Sequence, residues 1–212
     1  MADKVILEID RWANLMYNRG IAGSGARKTE SDKAIVERSQ MREFAEAINI
    51  LNKVSIKSIS QERPPSPDFT CSVNGKTIKV ELTEFIDPNM VKESKHIRAS
   101  PKHPLYKEEL TFDTSEKWFT NLLGKAISKK DQIYNKKKIN VDILIIWNEA
   151  LSLGIEDTDN WLQNFVIPKL RNIDAIYFQS WYHPYYLGRP IWSLVEHHQI
   201  GSVAPVRKPF TP

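Results

Sequence analysis

Residues 67–84, PDFTCSVNGKTIKVELTE, constrain the fold more than any other part of the chain. Asn74-Gly75 sits between two strand-like runs, and that dipeptide accepts the positive φ values a two-residue hairpin turn needs. Before it, Pro67-Asp68 opens the short apolar run Phe69 to Val73. After it the residues alternate: Thr77, Lys79, Glu81 and Thr83 on one side, Ile78, Val80 and Leu82 on the other. Strand side chains repeat every two residues, so one face is apolar and the other polar. Pairing of the two strands lets an Asp and a Glu converge on one patch. Two such carboxylates suit Mg²⁺ or Mn²⁺, hard ions that prefer oxygen ligands.

The rest of the chain bounds what can surround that hairpin. Its 212 residues suffice for one domain with a sizeable core. The formal charge of +4 is compatible with a polyanionic partner without requiring one. A single cysteine, Cys71, excludes an internal disulfide framework and a cysteine-based zinc site. With no signal peptide and no apolar run long enough to cross a bilayer, the expectation is a soluble cytoplasmic protein with no membrane partner.

On either side of the hairpin the periodicity is helical. Residues 2–18 read as a short amphipathic helix carrying Val5, Ile9, Trp12 and Met16, followed by a flexible Gly-rich basic segment. Residues 31–51 read as a long helix capped by Ser31, with Met41, Phe44 and Ile48 on its apolar side. Glu37 falls on that side by phase. An inward carboxylate needs a partner, either a metal or a lysine reached near the helix start. Residues 54–60 predict a first strand, and the three prolines of residues 61–67 a stiff connector.

Beyond the hairpin, residues 86–113 carry Lys92, Lys95, His96, Arg98, Lys102, His103 and Lys107 with little periodicity. They read either as a flap over a substrate, with Lys102 and Lys107 as substrate contacts, or as a solvated insertion. Residues 114–137 predict the second major helix, capped by Thr114 or Ser115. Trp118, Leu122, Ala126 and Ile133 mark its packed side, flanked by Phe119, Leu123 and Ile127. Lys130 points inward by phase, Tyr134 follows one turn later, and Lys129 lies nearer the edge. Lys136 to Lys138 read as a solvated charge run that suits the helix C-terminus. The run VDILIIW at 141–147 predicts a strand buried on both faces. Then follow a helix over 157–170, a strand over 174–181 and an edge hairpin over 185–195. Helices alternating with a mixed sheet give an α/β class.

The Pro67-Asp68 turn, the hairpin, Glu81-Leu82-Thr83 and the following long helix resemble the PD-(D/E)XK, or restriction-endonuclease-like, nuclease superfamily. The resemblance covers residues 31–147, whose order of helix, three strands, helix and strand is that of the superfamily core. It implies one nuclease-like domain over residues 1–212, a three-layer sandwich with a mixed central sheet flanked by helices. Residues 1–30 precede the core, and residues 148–212 form a C-terminal α/β extension. It implies metal-dependent hydrolysis of phosphodiester bonds, in DNA more readily than RNA, and leaves room for a homodimer. By resemblance Asp68, Glu81 and the main-chain carbonyl of Leu82 hold Mg²⁺ or Mn²⁺, and Glu37 completes the site. Thr83 stands where the motif has its lysine. Lys79 shares the face of Glu81 and is one replacement. Lys130 is the preferred one, since Lys130-x-x-x-Tyr134 resembles the Gln-x-x-x-Tyr helix of one branch and the catalytic lysine migrates to that helix in some members.

Two other readings remain open. Thr83 is compatible with a catalytically inactive protein of the same fold that binds nucleic acid or a protein. Trp181, Tyr182, Tyr185, Tyr186 and Trp192 could instead serve an interaction module that stacks on bases or binds a protein.

Overall fold

The computed structural model describes residues 29–52, 55–89, 91–92, 115–148, 153–180 and 190–196. Its elements are α1 (Glu30–Asn52), β1 (Ile56–Gln61), β2 (Phe69–Val73), β3 (Lys76–Phe85), α2 (Glu116–Lys137), β4 (Val141–Asn148), α3 (Ile155–Asn164), β5 (Ile173–Gln179) and β6 (Ile191–Glu196). The six strands form one sheet in the order β1-β2-β3-β4-β5-β6. β1-β2 and β2-β3 are antiparallel, β3-β4 and β4-β5 are parallel, and β6 returns antiparallel to β5. The protein is therefore an α/β sandwich around a mixed, open sheet. No helix among the described residues is long and apolar enough to cross a membrane.

Strand alternation sorts the core into two layers. On one face Met41, Phe44 and Ile48 of α1 pack against Phe69, Cys71, Val80, Leu82, Ile143 and Ile145. On the other, Phe119, Leu123 and Ile127 of α2 and Leu162 of α3 pack against Leu144, Ile146, Ile176 and Phe178. β4 is buried on both faces, which is why its sequence shows no alternation.

The hairpin forms as its turn signal requires. Val73 pairs with Lys76 across Asn74 and Gly75, which take φ values of 50° and 80°. The ladder ends at the pair Phe69–Val80, whereas β3 continues to Phe85. Residues 81–85 thus have β4 on one side and an edge that β2 does not cover. The polar face of β3 also changes character along its length. Thr77 and Lys79 are exposed where no helix among the described residues covers that face, but Glu81 is buried where α2 begins to cover it.

Several expectations change in detail. α1 starts at Glu30, and Thr29 rather than Ser31 caps it: the Asp32 amide donates to Thr29 Oγ1 at 3.1 Å while the Thr29 amide donates to Asp32 Oδ2 at 2.9 Å. Ser115 caps α2 by accepting from the Trp118 amide. The buried line of α2 is Phe119, Leu123, Ile127, Asp131 and Tyr134, with Trp118, Leu122 and Ala126 only partly covered. α3 begins earlier than expected and stops at Asn164 instead of residue 170. Pro168 disfavours helix at Ile167, and Val166 is left 86% exposed instead of joining the packed face. β5 and β6 extend the same sheet as the core, and α3 packs on its face. The expected helix at 2–18, the Gly-rich segment, the basic segment with His96, Lys102, His103 and Lys107, and most of the aromatic group at 181–186 lie outside the described residues. Trp192 is buried in the core, and its indole N–H donates to Asp159 Oδ1 at 2.9 Å, so it offers no stacking surface.

Candidate functional site

At the uncovered edge of β3 a side chain takes over from the missing strand. The Leu82 amide donates to Asp68 Oδ2 at 2.9 Å, where the ladder would have continued. The Asp68 amide donates to Glu81 Oε2 at 3.2 Å. Asp68 is held there by the proline connector, whose far end closes through a bond from the Glu62 amide to the Asp68 carbonyl at 2.8 Å. The two carboxylates that strand pairing was expected to bring together are thus linked through backbone amides, Glu81 to that of Asp68 and Asp68 to that of Leu82.

α2 delivers two donors to Glu81, which is only 4% exposed. Lys130 Nζ donates to Glu81 Oε1, and Tyr134 Oη donates to Glu81 Oε2. Lys130 and Tyr134 lie four apart, so one helical turn presents both to the same carboxylate. Lys130 Nζ also donates to the main-chain oxygen of Leu82 at 3.3 Å.

α1 supplies the third wall. The Glu37 side chain is 13% exposed and faces inward, as its helical phase predicts. Lys33 Nζ stands 3.4 Å from Glu37 Oε1, and Gln61 Nε2 donates to Glu37 Oε2 at 3.3 Å. Gln61 Oε1 accepts in turn from Arg38 Nη1 at 2.9 Å, so α1 and β1 share one hydrogen-bonded chain. Both partners proposed for an inward Glu37 remain in play, because it meets a lysine and also lines the cavity.

Glu37, Asp68, Glu81, Leu82, Thr83, Lys130 and Tyr134 line a single cavity of about 740 Å³. Lys79 and Lys129 are exposed and do not line it. Lys79 shares the face of Glu81 but sits at its solvated end, and its backbone amide bonds Asp142. Among the charged lining residues, periodicity missed Glu30, Lys33, Glu84 and Lys137. Lys33 is legible afterwards as the residue four before Glu37. Glu84 lies on the α1-facing side of β3 by parity. Lys137 was expected to be solvated; it is exposed, yet its ammonium donates to the Pro65 carbonyl at 3.2 Å and lies 5.2 Å from the centre of the Tyr134 ring.

The electrostatics of the cavity favour a cation. Five carboxylates line it, Glu30, Glu37, Asp68, Glu81 and Glu84, against three ammonium groups, Lys33, Lys130 and Lys137. Burial, and then the charges of Glu81 and Glu37, push the Asp68 carboxyl up to about 7, against the opposing pull of the Leu82 amide and Lys130. Burial and its bond to Glu81 push the Tyr134 hydroxyl well above its usual range, so it stays a neutral donor. Burial works to lower the Lys33 pKa, but Glu37 and Asp68 outweigh it, and the net direction is upward.

The donor set is all oxygen: the Asp68 and Glu81 carboxylates and the Leu82 carbonyl. That chemistry fits Mg²⁺ or Mn²⁺. Among the described residues no three acidic, histidine or cysteine side chains stand close enough to make a preformed ligand group. Glu37 contributes its charge to the field at Asp68, while its oxygens are engaged by Lys33 and Gln61. Compared with known proteins, the chain matches no family model, no curated protein and no solved structure.

Proposed function

We propose that this chain is a metal-dependent nuclease of the PD-(D/E)XK type that hydrolyses phosphodiester bonds in DNA. One observation carries the reading: residues from α1, β3, α2 and the start of β2 bring Glu37, Asp68, Glu81 and Lys130 to one cavity. The order α1, β1, β2, β3, α2, β4 supports it as well, being the order the resemblance implies. Asp68, Glu81 and the Leu82 carbonyl would hold Mg²⁺ or Mn²⁺. Such an ion polarises a bound phosphate and lowers the pKa of a bound water. The chain's own residues do the rest. Tyr134 and the Asp68 amide fix the orientation of the Glu81 carboxylate. Lys130 supplies the positive charge that Thr83 lacks. Lys33 and Lys137 give the acidic cavity a positively charged rim for a phosphate backbone.

Cleavage of plasmid DNA with Mg²⁺ or Mn²⁺ tests the reading. Asp68→Ala and Glu81→Ala should each lower the rate by about a hundredfold or more, the scale of losing a metal's electrostatic stabilisation. Parent-like cleavage by either variant would sink the proposal. A second reading, a non-catalytic binder of nucleic acid or protein on the same scaffold, is favoured by Thr83, which lines the cavity but brings no charge. Absence of Mn²⁺ uptake at millimolar concentration in calorimetry would select it over the enzyme.

A further inference from the structure

The ion-pair partner of Glu81 stands where a bound cation would have to go. Lys130 Nζ is bracketed by Glu81 Oε1 and by the Leu82 carbonyl oxygen, 3.3 Å away. A carboxylate oxygen and a backbone carbonyl facing one positive charge form an all-oxygen cradle, the donor chemistry of hard divalent ions. Asp68 borders the same cradle, since its amide donates to the other oxygen of Glu81. Lys130 also has a way out. Its side chain is 23% exposed on the cavity wall, whereas Glu81 is packed between α2 and the sheet. The ammonium can turn into the cavity by rotating its own flexible stem, with α2 staying in place.

We propose that Lys130 is the resident counter-ion of the ion-free protein, and that a divalent cation displaces its ammonium from Glu81 and the Leu82 carbonyl, turning it toward the cavity. This rests on the metal-site reading above. Binding then breaks two charge-assisted bonds and places the ion near a unit positive charge, so the site binds more weakly than its donors alone would. Neither Lys33 nor Lys137 fills the same role, because Lys33 is held by Glu37 and Lys137 by the Pro65 carbonyl.

Titration of Mn²⁺ into the protein by calorimetry tests the displacement. Lys130→Met should bind about tenfold more tightly than the parent, the order expected when one nearby like charge is removed. Lys130→Arg, which keeps the charge, should stay within about threefold of the parent. Glu81→Gln should lose binding and so locate the ion. A second readout needs no variant: saturating Mn²⁺ should raise the acetylation of Lys130 several-fold by mass spectrometry and leave the exposed Lys129 unchanged. That labelling decides alone if Lys130→Met does not fold. Equal or weaker binding by Lys130→Met, or Lys130 labelling indifferent to an ion that Glu81 binds, overturns the displacement and leaves the metal site standing. No Mn²⁺ binding in parent or variant overturns both.

Discussion

At the scale of single residues, burial works against the charge of Asp68. Its carboxyl titrates near 7 in the folded protein against 3.8 for the free group, because burial and two neighbouring carboxylates disfavour its charge. The folded state therefore binds more protons than the unfolded state between about pH 4 and 7. Across that window stability falls as pH rises, and above it the whole loss is present. Asp68→Asn removes the charge while its side-chain oxygen can still accept from the Leu82 amide. At pH 8 without added metal it should be roughly 2 kcal/mol more stable than the parent, with the gap closing below about pH 4. Urea unfolding at the two pH values checks this; equal stability at pH 8 would mean the charge is already balanced. Asp68 and Glu81 were legible in the sequence because strand parity and a two-residue turn fix which residues meet. The exposed position of Lys79 was not legible, since parity identifies a face but not how far along it a helix gives cover.

At the scale of elements, α2 both builds the cavity and anchors the sheet. Its Lys130–Tyr134 turn was readable from phase, because inward polar residues on an apolar face are costly without a partner. Asp131 was overlooked, although it lies four residues after Ile127 on the same buried line. Its Oδ1 accepts from the Arg171 amide at 3.0 Å and the Asn172 amide at 2.9 Å, tying the helix to the loop that enters β5. Asp131→Ala leaves two amides without their acceptor and should cost roughly 2–4 kcal/mol, read as a lower urea midpoint at unchanged m-value. A loss under about 0.5 kcal/mol would show that water replaces the carboxylate. The early end of α3 at Asn164 was a failure of periodicity. Phe165 and Val166 continue the helical pattern, yet Pro168 has no N–H to bond the Asn164 carbonyl and its ring would clash there, so the helix stops at Asn164.

At the scale of the whole molecule, the alternation of elements gave the α/β class, but the sequence did not reveal that residues after 148 continue the same sheet. Strand order depends on which edges meet, and no local pattern encodes that. The continuous sheet matters for the site because β3 pairs with β2 from Lys76 to Val80 and with β4 from Val80 to Phe85, so beyond Val80 it is held by β4 alone. An ion held at the free end of β3 binds only the folded chain, so its affinity appears as stability. Adding Mg²⁺ at about a hundred times its dissociation constant should stabilise the parent by about 2.7 kcal/mol, seen as a rise in Tm. Glu81→Gln should show no rise; an equal rise there would place the ion elsewhere.

One step past the Phe69–Val80 pair, Asp68 and Glu81 stand opposite each other, equally far from the Asn74-Gly75 turn. Their separation in sequence is therefore not a fixed word but the contour length of two matched arms. Adding two residues to each arm would preserve the encounter and its facing. Adding one residue to a single arm would break it unless a bulge absorbed the extra residue. Chains carrying the same carboxylate pair can thus space it quite differently, and a search for it should measure symmetry about a turn rather than a constant interval.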